Sequence, residues 1–383
     1  MIVQYKSNEK DSPIIDDITT EISKHLDEWY GERASLDSNI PAIRSYRNCF
    51  MLRYPITSAS GEKKTVLVKI RRNPKMDSLL RAINAEIHGN IPTEYSSLKF
   101  VFSCLAGMDE NFGAIRPLAY LEKYHAIMME EYPSRTLRQI LIDQRSRNGK
   151  GISELRDAAR KTGKWLHYFH DHIHTPAEKQ YSTNEILYEV QSYAMRLEDY
   201  SRGRVRAQAL LDAFSQKLEN VQIDSMKFSQ SHADMTCDNV LYSDNKKVCV
   251  IDIKTRPAPV YSDLGLILTH PETFKSQIFS GGSYLPDSLL QEYRAAILAG
   301  YFEDEPRNEF LVKLYSAIKV LDKWTMYEEL MSRYRGVKYL LSFPVGPIVT
   351  AYFKNVLKKH LDAIQTVEMA KGFKMVDAVD HSA

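Results

Sequence analysis

Apolar residues recur at helical spacing over residues 14 to 30, where Ile14, Ile15, Ile18, Ile22, His25 and Trp29 fall on one stripe of a 3.6-residue repeat. A helix is expected there. Residues 43 to 56 are rich in Tyr, Phe, Leu and Ile. Ser58-Ala-Ser-Gly61-Glu-Lys-Lys interrupts that run and Thr65-Val-Leu-Val-Lys69-Ile resumes it, the signature of a hairpin with a polar turn. Leu79, Leu80, Ile83 and Ile87 predict a helix over 75–90. Pro92 and Thr93 open a second, with Glu94 in its first turn and Leu98, Val101, Phe102 and Leu105 behind it. Ala126-Ile-Met-Met-Glu130 reads as a short strand ending in acids. A helix starts over Leu137 to Ile142, and Arg145 to Gly151 reads as a polar loop.

The rest of the chain is patterned as helix over 153–173, 184–219, 285–301, 306–335 and 345–365, with one strand-rich patch at 228–253. A strand-heavy first third and a helix-heavy remainder predict an α+β protein of two lobes, residues 1–132 and 133–383. There is no internal repeat and no low-complexity stretch. The final dozen residues are expected to fray.

Composition narrows the classes. At 383 residues the chain can bury a large core, and its 44% apolar and 26% charged content are ordinary for a globular protein. A net charge of +2 argues against nucleic acid as an obligate partner. Cys49, Cys104, Cys237 and Cys249 show no metal spacing and no dense disulfide framework, so reduced, mostly buried thiols in a cytoplasmic protein are expected. The polar, acidic N-terminal stretch does not read as a signal peptide, and no apolar run approaches membrane-spanning length. A peripheral membrane contact is compatible with this composition, and nothing in it sets the oligomeric state.

The chemistry concentrates in residues 232 to 252: His232-Ala-Asp234-Met-Thr-Cys-Asp-Asn239-Val-Leu, then Val-Cys-Val-Ile-Asp252. Phosphoryl transfer from ATP needs three oxygen-bearing side chains in one small volume. One orients and deprotonates the attacking hydroxyl, and two hold Mg2+ against the polyphosphate. Asp234 is the candidate catalytic base, and Asn239 and Asp252 are the candidate metal ligands. An Asp-x-x-x-x-Asn is common by chance. His232 two residues before, an apolar pair after Asn239 and Ile-Asp252 beyond make the set specific.

These residues resemble the catalytic-loop signature of aminoglycoside phosphotransferases, choline and ethanolamine kinases, and bacterial sugar or glycoconjugate kinases, all similar in fold to protein kinases. Tyr261-Ser-Asp263-Leu-Gly also fits, and the resemblance implies that Asp263 opens a helix and braces the site. The alternative is a plain helix N-cap. The resemblance further implies that Lys69 contacts the nucleotide phosphates, with an acid from the following helix as its partner. Glu86 and Glu94 compete for that role; the order Glu94, Leu98, Arg116-Pro117-Leu118 favours Glu94. By the same match Met129 lines the adenine pocket, and the Glu130 carbonyl and Tyr132 amide take the adenine edge. The match covers roughly residues 40 to 270 in order.

Three departures stand out. Ser134 replaces a common Gly, Thr236-Cys237-Asp238 stands where Pro and Gly are frequent, and no Gly-rich phosphate loop is present. The last leaves the residues over the phosphates unnamed. His167, His170 and His174 could share a helical face as zinc ligands, but a structural His170 and a polar helix end are the better reading. Arg145, Arg147 and Lys150 could meet an anionic membrane or glycan; a solvated loop is the plainer reading. Residues 184–219 hold comparable numbers of acids and bases. A site for a polycation would be acid-rich, so a sugar or lipid-linked glycan acceptor is favoured over an aminoglycoside. The aromatics Tyr188, Tyr193, Tyr200 and Phe214 read as core. The alternative functions are a protein kinase, against which Ala233 replaces the Arg of His-Arg-Asp and no Ala-Pro-Glu follows, and a non-catalytic scaffold of the same fold.

Overall fold

The computed structural model describes residues 3–5, 10–46, 48–72, 76, 78–84, 91–105, 107–146, 151–173, 177–219, 221–223, 225–303, 305–333 and 345–364. The chain divides into two compact units. The first comprises residues 1–141, 153–165 and 238–255; the second comprises 142–152, 166–237 and 256–383.

In the first unit the isoleucine stripe forms the expected helix, Ser12–Tyr30, and Ile14, Ile15, Ile18, Ile22, Leu26 and Trp29 are all buried. Each such side chain contributes about 1.5–3 kcal/mol when removed from water, so the stripe rather than intrinsic propensity holds the helix. Pro13 suits its first turn, where no N–H partner is lost, and Gly31 at φ +87° ends it.

A seven-stranded sheet follows, in the order Val3–Gln4, Ala42–Ser45, Cys49–Thr57, Lys63–Arg71, Ala126–Glu130, Pro117–Leu121, with Ser35–Leu36 pairing Cys49–Thr57 off that path. The neighbouring pairs are antiparallel. The predicted hairpin is Cys49–Thr57 with Lys63–Arg71, turning through Gly61 at φ +81°. Alternation gives the sheet two faces. Phe50, Leu52, Tyr54, Val66, Val68, Ile70, Ala126 and Met128 are buried in one core cluster with the N-terminal helix. The intervening positions, Met51, Leu67, Lys69, Arg71, Ile127 and Met129, share the other face.

The helix expected over 75–90 is present as Leu79–Ile83, capped by the Ser78 hydroxyl, which accepts the Arg81 N–H at 3.3 Å. Residues 85–90, Glu86 and Ile87 among them, lie outside the described residues. The next helix, Ile91–Leu105, opens at the predicted proline with Glu94 in its first turn. A second, three-stranded sheet orders Val248–Val250, Val240–Tyr242 and Arg135–Thr136. Cys249 is fully buried in it, and burial pushes its thiol up to about 12.

The second unit is mainly helical. Its sheet orders Arg256–Pro259, Ser225–Ser231 and Ala177–Gln180, all antiparallel. The stretch expected as helix over 184–219 is two helices, Thr183–Ser201 and Ala207–Leu218, parted where Arg202 and Gly203 take φ of +58° and +77°. Phe214 is core as expected, but Tyr188 is 74% exposed. The helix expected over 153–173 runs as Ile152–Tyr168, with residues 153–165 belonging to the first unit, and then widens into a π-helical turn, Phe169–Ile173, in the second. The long helix Glu309–Ser332 packs against Val260–Thr269, Thr183–Ser201 and Val345–Ala363. At one crossing a Cβ on Gly265 would stand 2.7 Å from the Tyr315 carbonyl carbon and oxygen, so only glycine fits. No helix among the described residues is long and apolar enough to cross a membrane.

One buried acid in this unit sets an acid-stability window. Glu272 is 4% exposed and pairs with Arg294 Nη2 and His360 Nε2, each at 2.7 Å. Burial raises its pKa, but the charges of His360 and Arg294 outweigh that and bring it from 4.5 down to about 2. A depressed carboxylate stabilises the fold above its unfolded pKa and loses that contribution as pH falls through its folded one. A shift of that size corresponds to on the order of 3 kcal/mol. Glu272→Gln is therefore expected to be less stable at pH 7, with the gap to the native protein closing between about pH 4.5 and pH 2. Denaturant titrations at several pH values read this directly; a gap independent of pH would show that the ionised carboxylate contributes nothing.

Candidate active site

In the first unit, the strand Lys63–Arg71 places Lys69 on the sheet face away from the core cluster, opposite Ile127 on one neighbour and Met51 on the other. Leu67 and Met129 are paired on the same face, so Met129 stands on the side of the sheet that carries Lys69. Lys69 Nζ donates to Glu94 Oε1 at 2.7 Å and to Asp252 Oδ1. Among the described residues, Glu94 is thus the helix acid that reaches the lysine. Lys69 is 8% exposed. Burial works to lower its pKa, but the charges of Asp252 and Glu94 prevail and raise it above the ordinary lysine value.

Asp252 comes to this lysine because of a hairpin. Val240–Tyr242 pairs antiparallel with Val248–Val250, and the Ile251 N–H donates to the Asn239 carbonyl at 2.9 Å, extending the ladder by one step. Asn239 and Asp252 therefore lie at the same open end of one hairpin. Asp252 itself turns into the left-handed region at φ +57°, leaving its side chain 39% exposed. An aspartate tolerates that conformation better than a branched residue would. A carboxylate and a carboxamide are hard-oxygen groups of the kind magnesium takes, and Asp252 already holds one cation, the Lys69 ammonium.

The Glu130 N–H donates to the Arg116 carbonyl at 2.9 Å and the Glu131 N–H to the Thr65 carbonyl at 2.8 Å. The Tyr132 ring packs where a Cβ on Gly113 would be, 2.2 Å from its hydroxyl, and that hydroxyl donates to Ser243 Oγ at 3.3 Å. Gly113 is the close-approach glycine that lets Tyr132 lie there.

In the second unit, the loop bearing Asp234 is organised by Asp263. The expectation that Asp263 opens a helix needs correction: the helix starts at Val260, and Asp263 sits in its first turn with its carboxylate aimed at the loop. Oδ1 accepts from Ser231 Oγ at 2.7 Å and the Ala233 N–H at 3.2 Å. Oδ2 accepts from the His232 N–H at 2.5 Å and lies 3.3 Å from His170 Nε2. Asp263 is 1% exposed. Burial opposes its ionisation, but the hydrogen bond and charge of His170, with help from His232 and Ser231, hold it below the ordinary carboxylate value.

These bonds hold Ala233 at φ +63°, a left-handed turn that costs a non-glycine residue about 1–2 kcal/mol. His232 is fully buried, and its Nδ1 accepts the Asp234 N–H at 3.2 Å. The histidine thus faces inward and grips the backbone of the following aspartate, while Asp234 stays half-buried. His170 extends the network through Nδ1 to the Tyr301 hydroxyl at 2.9 Å.

Of the three histidines with helical spacing, His170 is committed to Asp263 and Tyr301, and His174 lies outside the described residues. His167 instead clusters with Asp171 and Glu305, where Lys227 Nζ is 2.7 Å from Asp171 and already balances its charge. Of the loop cations, Arg147 and Lys150 are outside the described residues, and Arg145 lies 4.2 Å over the Tyr284 ring. Sequence reasoning missed Arg71, which joins Lys69 on Glu94; its signal is the two-residue period of the strand.

Solved structures align with the chain over almost its whole length, among them two kinases. Choline kinase from Cryptosporidium parvum Iowa II superposes with a TM-score of 0.53 at 11% identity, covering 93% of this chain and 98% of that one. Ethanolamine kinase from Plasmodium vivax gives 0.50 at 11% identity, covering 92% and 91%. At such low identity the fold is what is shared: the chain adopts the two-lobed, α+β, protein-kinase-like fold that its motifs imply. No protein-family model matches the sequence, and no curated protein matches it.

Proposed function

We propose that the protein is a magnesium-dependent phosphotransferase that carries the γ-phosphate of ATP to a hydroxyl group of a small molecule or glycan. The observation that carries this reading is the cluster of Lys69, Glu94 and Asp252: a strand lysine braced by a helix carboxylate and touching the acid that follows an apolar strand. The intact set of Asp234, Asn239 and Asp252 argues against a scaffold, since a binding module needs no such set. The fold shared with choline and ethanolamine kinases supports the reading.

In this mechanism Asp234 accepts a hydrogen bond from the acceptor hydroxyl, aims its oxygen at the γ-phosphorus and takes its proton. His232 holds the Asp234 amide and does not transfer protons. Asn239 and Asp252 would hold magnesium, which would supply positive charge against the phosphate oxygens. Lys69, kept in place by Glu94, aligns the phosphates. Met129 lines the adenine pocket, and the Glu130 carbonyl and Tyr132 amide bind the adenine edge. In the proposed enzyme residues 1–132 are the N-terminal lobe and 133–383 the C-terminal lobe, a division that counts 133–141, 153–165 and 238–255 with the C-terminal lobe although they pack within the first compact unit. The mixed charge of 184–219 favours a sugar or lipid-linked glycan over an aminoglycoside.

Asp252→Ala is expected to weaken magnesium-dependent ATP binding by on the order of 100-fold, about 2.7 kcal/mol, as read by calorimetry with and without the metal. Unchanged magnesium dependence would remove Asp252 from the metal site. A screen of sugars, amino alcohols, aminoglycosides and lipid-linked glycans for ADP release identifies the acceptor. Transfer from labelled ATP to generic proteins alone would favour a protein kinase, and a nucleotide-induced thermal shift without turnover would favour a scaffold.

A further inference from the structure

The strand that carries Lys69 carries a second cation on the same face. Side chains alternate along a strand, so positions 69 and 71 point the same way. Arg71 Nε donates to Glu94 Oε2 at 2.7 Å, and Nη2 donates to the same oxygen. Lys69 takes the other oxygen, Oε1, at 2.7 Å. One carboxylate therefore spaces two cations, where bracing Lys69 alone needs one. The Glu94 side chain is 10% exposed and that of Arg71 is 31% exposed, so the acid is buried beneath a guanidinium that still reaches solvent.

Charge makes the arrangement informative. Lys69 and Arg71 balance Glu94 and Asp252. With Asp252 taken up by a metal ion, Lys69, Arg71 and Glu94 would carry one net positive charge. A guanidinium has five N–H donors in a fixed fork, and Glu94 takes two of them. Arg72, the next residue, shows the contrast. It donates to the Tyr46 carbonyl at 2.8 Å and the Met76 carbonyl at 2.6 Å and lies over the Phe50 ring, so it is spent on the backbone. The sequence also lacks the Gly-rich loop whose backbone N–H groups would cradle phosphates. An arginine fork beside Lys69 supplies the missing donors from a rigid strand.

We infer that Arg71 is a second polyphosphate ligand, binding phosphate oxygens beside Lys69 while Glu94 fixes the spacing of the two cations. The net positive charge of the site and the assignment of the polyphosphate to ATP both rest on the kinase reading; the free donors of Arg71 beside Lys69 do not. The test is calorimetry of inorganic tripolyphosphate, ATP with magnesium, and adenosine on the full-length native protein, Arg71→Ala, Arg71→Lys, Glu94→Gln and the double variant Glu94→Gln with Arg71→Ala.

Arg71→Ala is expected to lose about 10- to 30-fold in affinity for tripolyphosphate and ATP and to bind adenosine as the native protein does, with Arg71→Lys recovering part of the loss. Unchanged adenosine binding also certifies the fold. The same loss in the Glu94→Gln background supports direct contact; its disappearance there would overturn the inference, leaving Arg71 a brace for Glu94. Native-like tripolyphosphate affinity in Arg71→Ala would overturn it too, without touching the kinase reading. A native protein that binds tripolyphosphate but neither ATP nor adenosine would instead defeat the kinase reading and leave the anion site standing.

Discussion

Asp234→Asn is expected to lower phosphate transfer by about three orders of magnitude while leaving nucleotide affinity within about twofold. Asparagine keeps the size of the side chain and one acceptor oxygen, so an incoming hydroxyl can still be oriented. It cannot take the proton that the hydroxyl must release. The backbone there is set by other groups, because the Asp234 N–H donates to His232 Nδ1 and the two preceding amides donate to Asp263. The substitution therefore removes a basic oxygen and leaves the loop in place. Initial rates of ADP release with the acceptor found by screening, run beside calorimetry of ATP with magnesium, give both numbers. Full residual turnover with lost nucleotide binding would reverse the assignment and make Asp234 a binding residue.

The largest effect on stability is expected at Asp263. Asp263→Ala leaves the His232 amide and the Ser231 hydroxyl without their buried acceptor, leaves the Ala233 amide with Ser231 Oγ alone at 3.0 Å, and leaves His170 facing an empty space. Removing one partner of a buried charged network costs about 3–5 kcal/mol. The strained turn at Ala233 loses its restraint at the same time. Denaturant unfolding followed by near-ultraviolet dichroism measures the loss. Asp263→Asn should fall between the two, since one of its terminal atoms still accepts. The sign with pH follows from the lowered pKa of Asp263: its contribution is present above the ordinary aspartate value of 3.8 and disappears as pH falls through the lower folded value. A variant as stable as the native protein at pH 7 would mean that water replaces the carboxylate at no cost.

Much of the architecture was legible because it is local. The helix Ser12–Tyr30 is written in isoleucines three and four apart, and the hairpin ending in Lys69 is written in a polar turn between two apolar runs. The candidate base and metal ligands were legible for the same reason, since Asp234, Asn239 and Asp252 lie within one loop and one hairpin. What stayed hidden depends on contacts distant in sequence. Nothing near Glu94 says that Arg71 competes with Lys69 for its carboxylate. The resemblance implied that Asp263 braces the site, but the groups it gathers are amides some thirty residues earlier, which no local pattern names. The π-turn at Phe169–Ile173 leaves no periodic mark because it widens a helix that sequence patterning assumes regular. The break near Gly203 did have a signal, a glycine among arginines, that the surrounding apolar periodicity outweighed.

The crossing at Gly265 bears on how this protein could be changed. Two residues after Asp263, the helix Val260–Thr269 meets the Tyr315 backbone with no space for a methyl group. Backbone cannot rotate aside as a side chain can, so an added carbon there would lift the whole helix and carry the Asp263 carboxylate away from the amides it gathers. Directed evolution toward new acceptors would find this spot closed, and variation would collect on helix surfaces that leave the axis of residues 260–269 undisturbed.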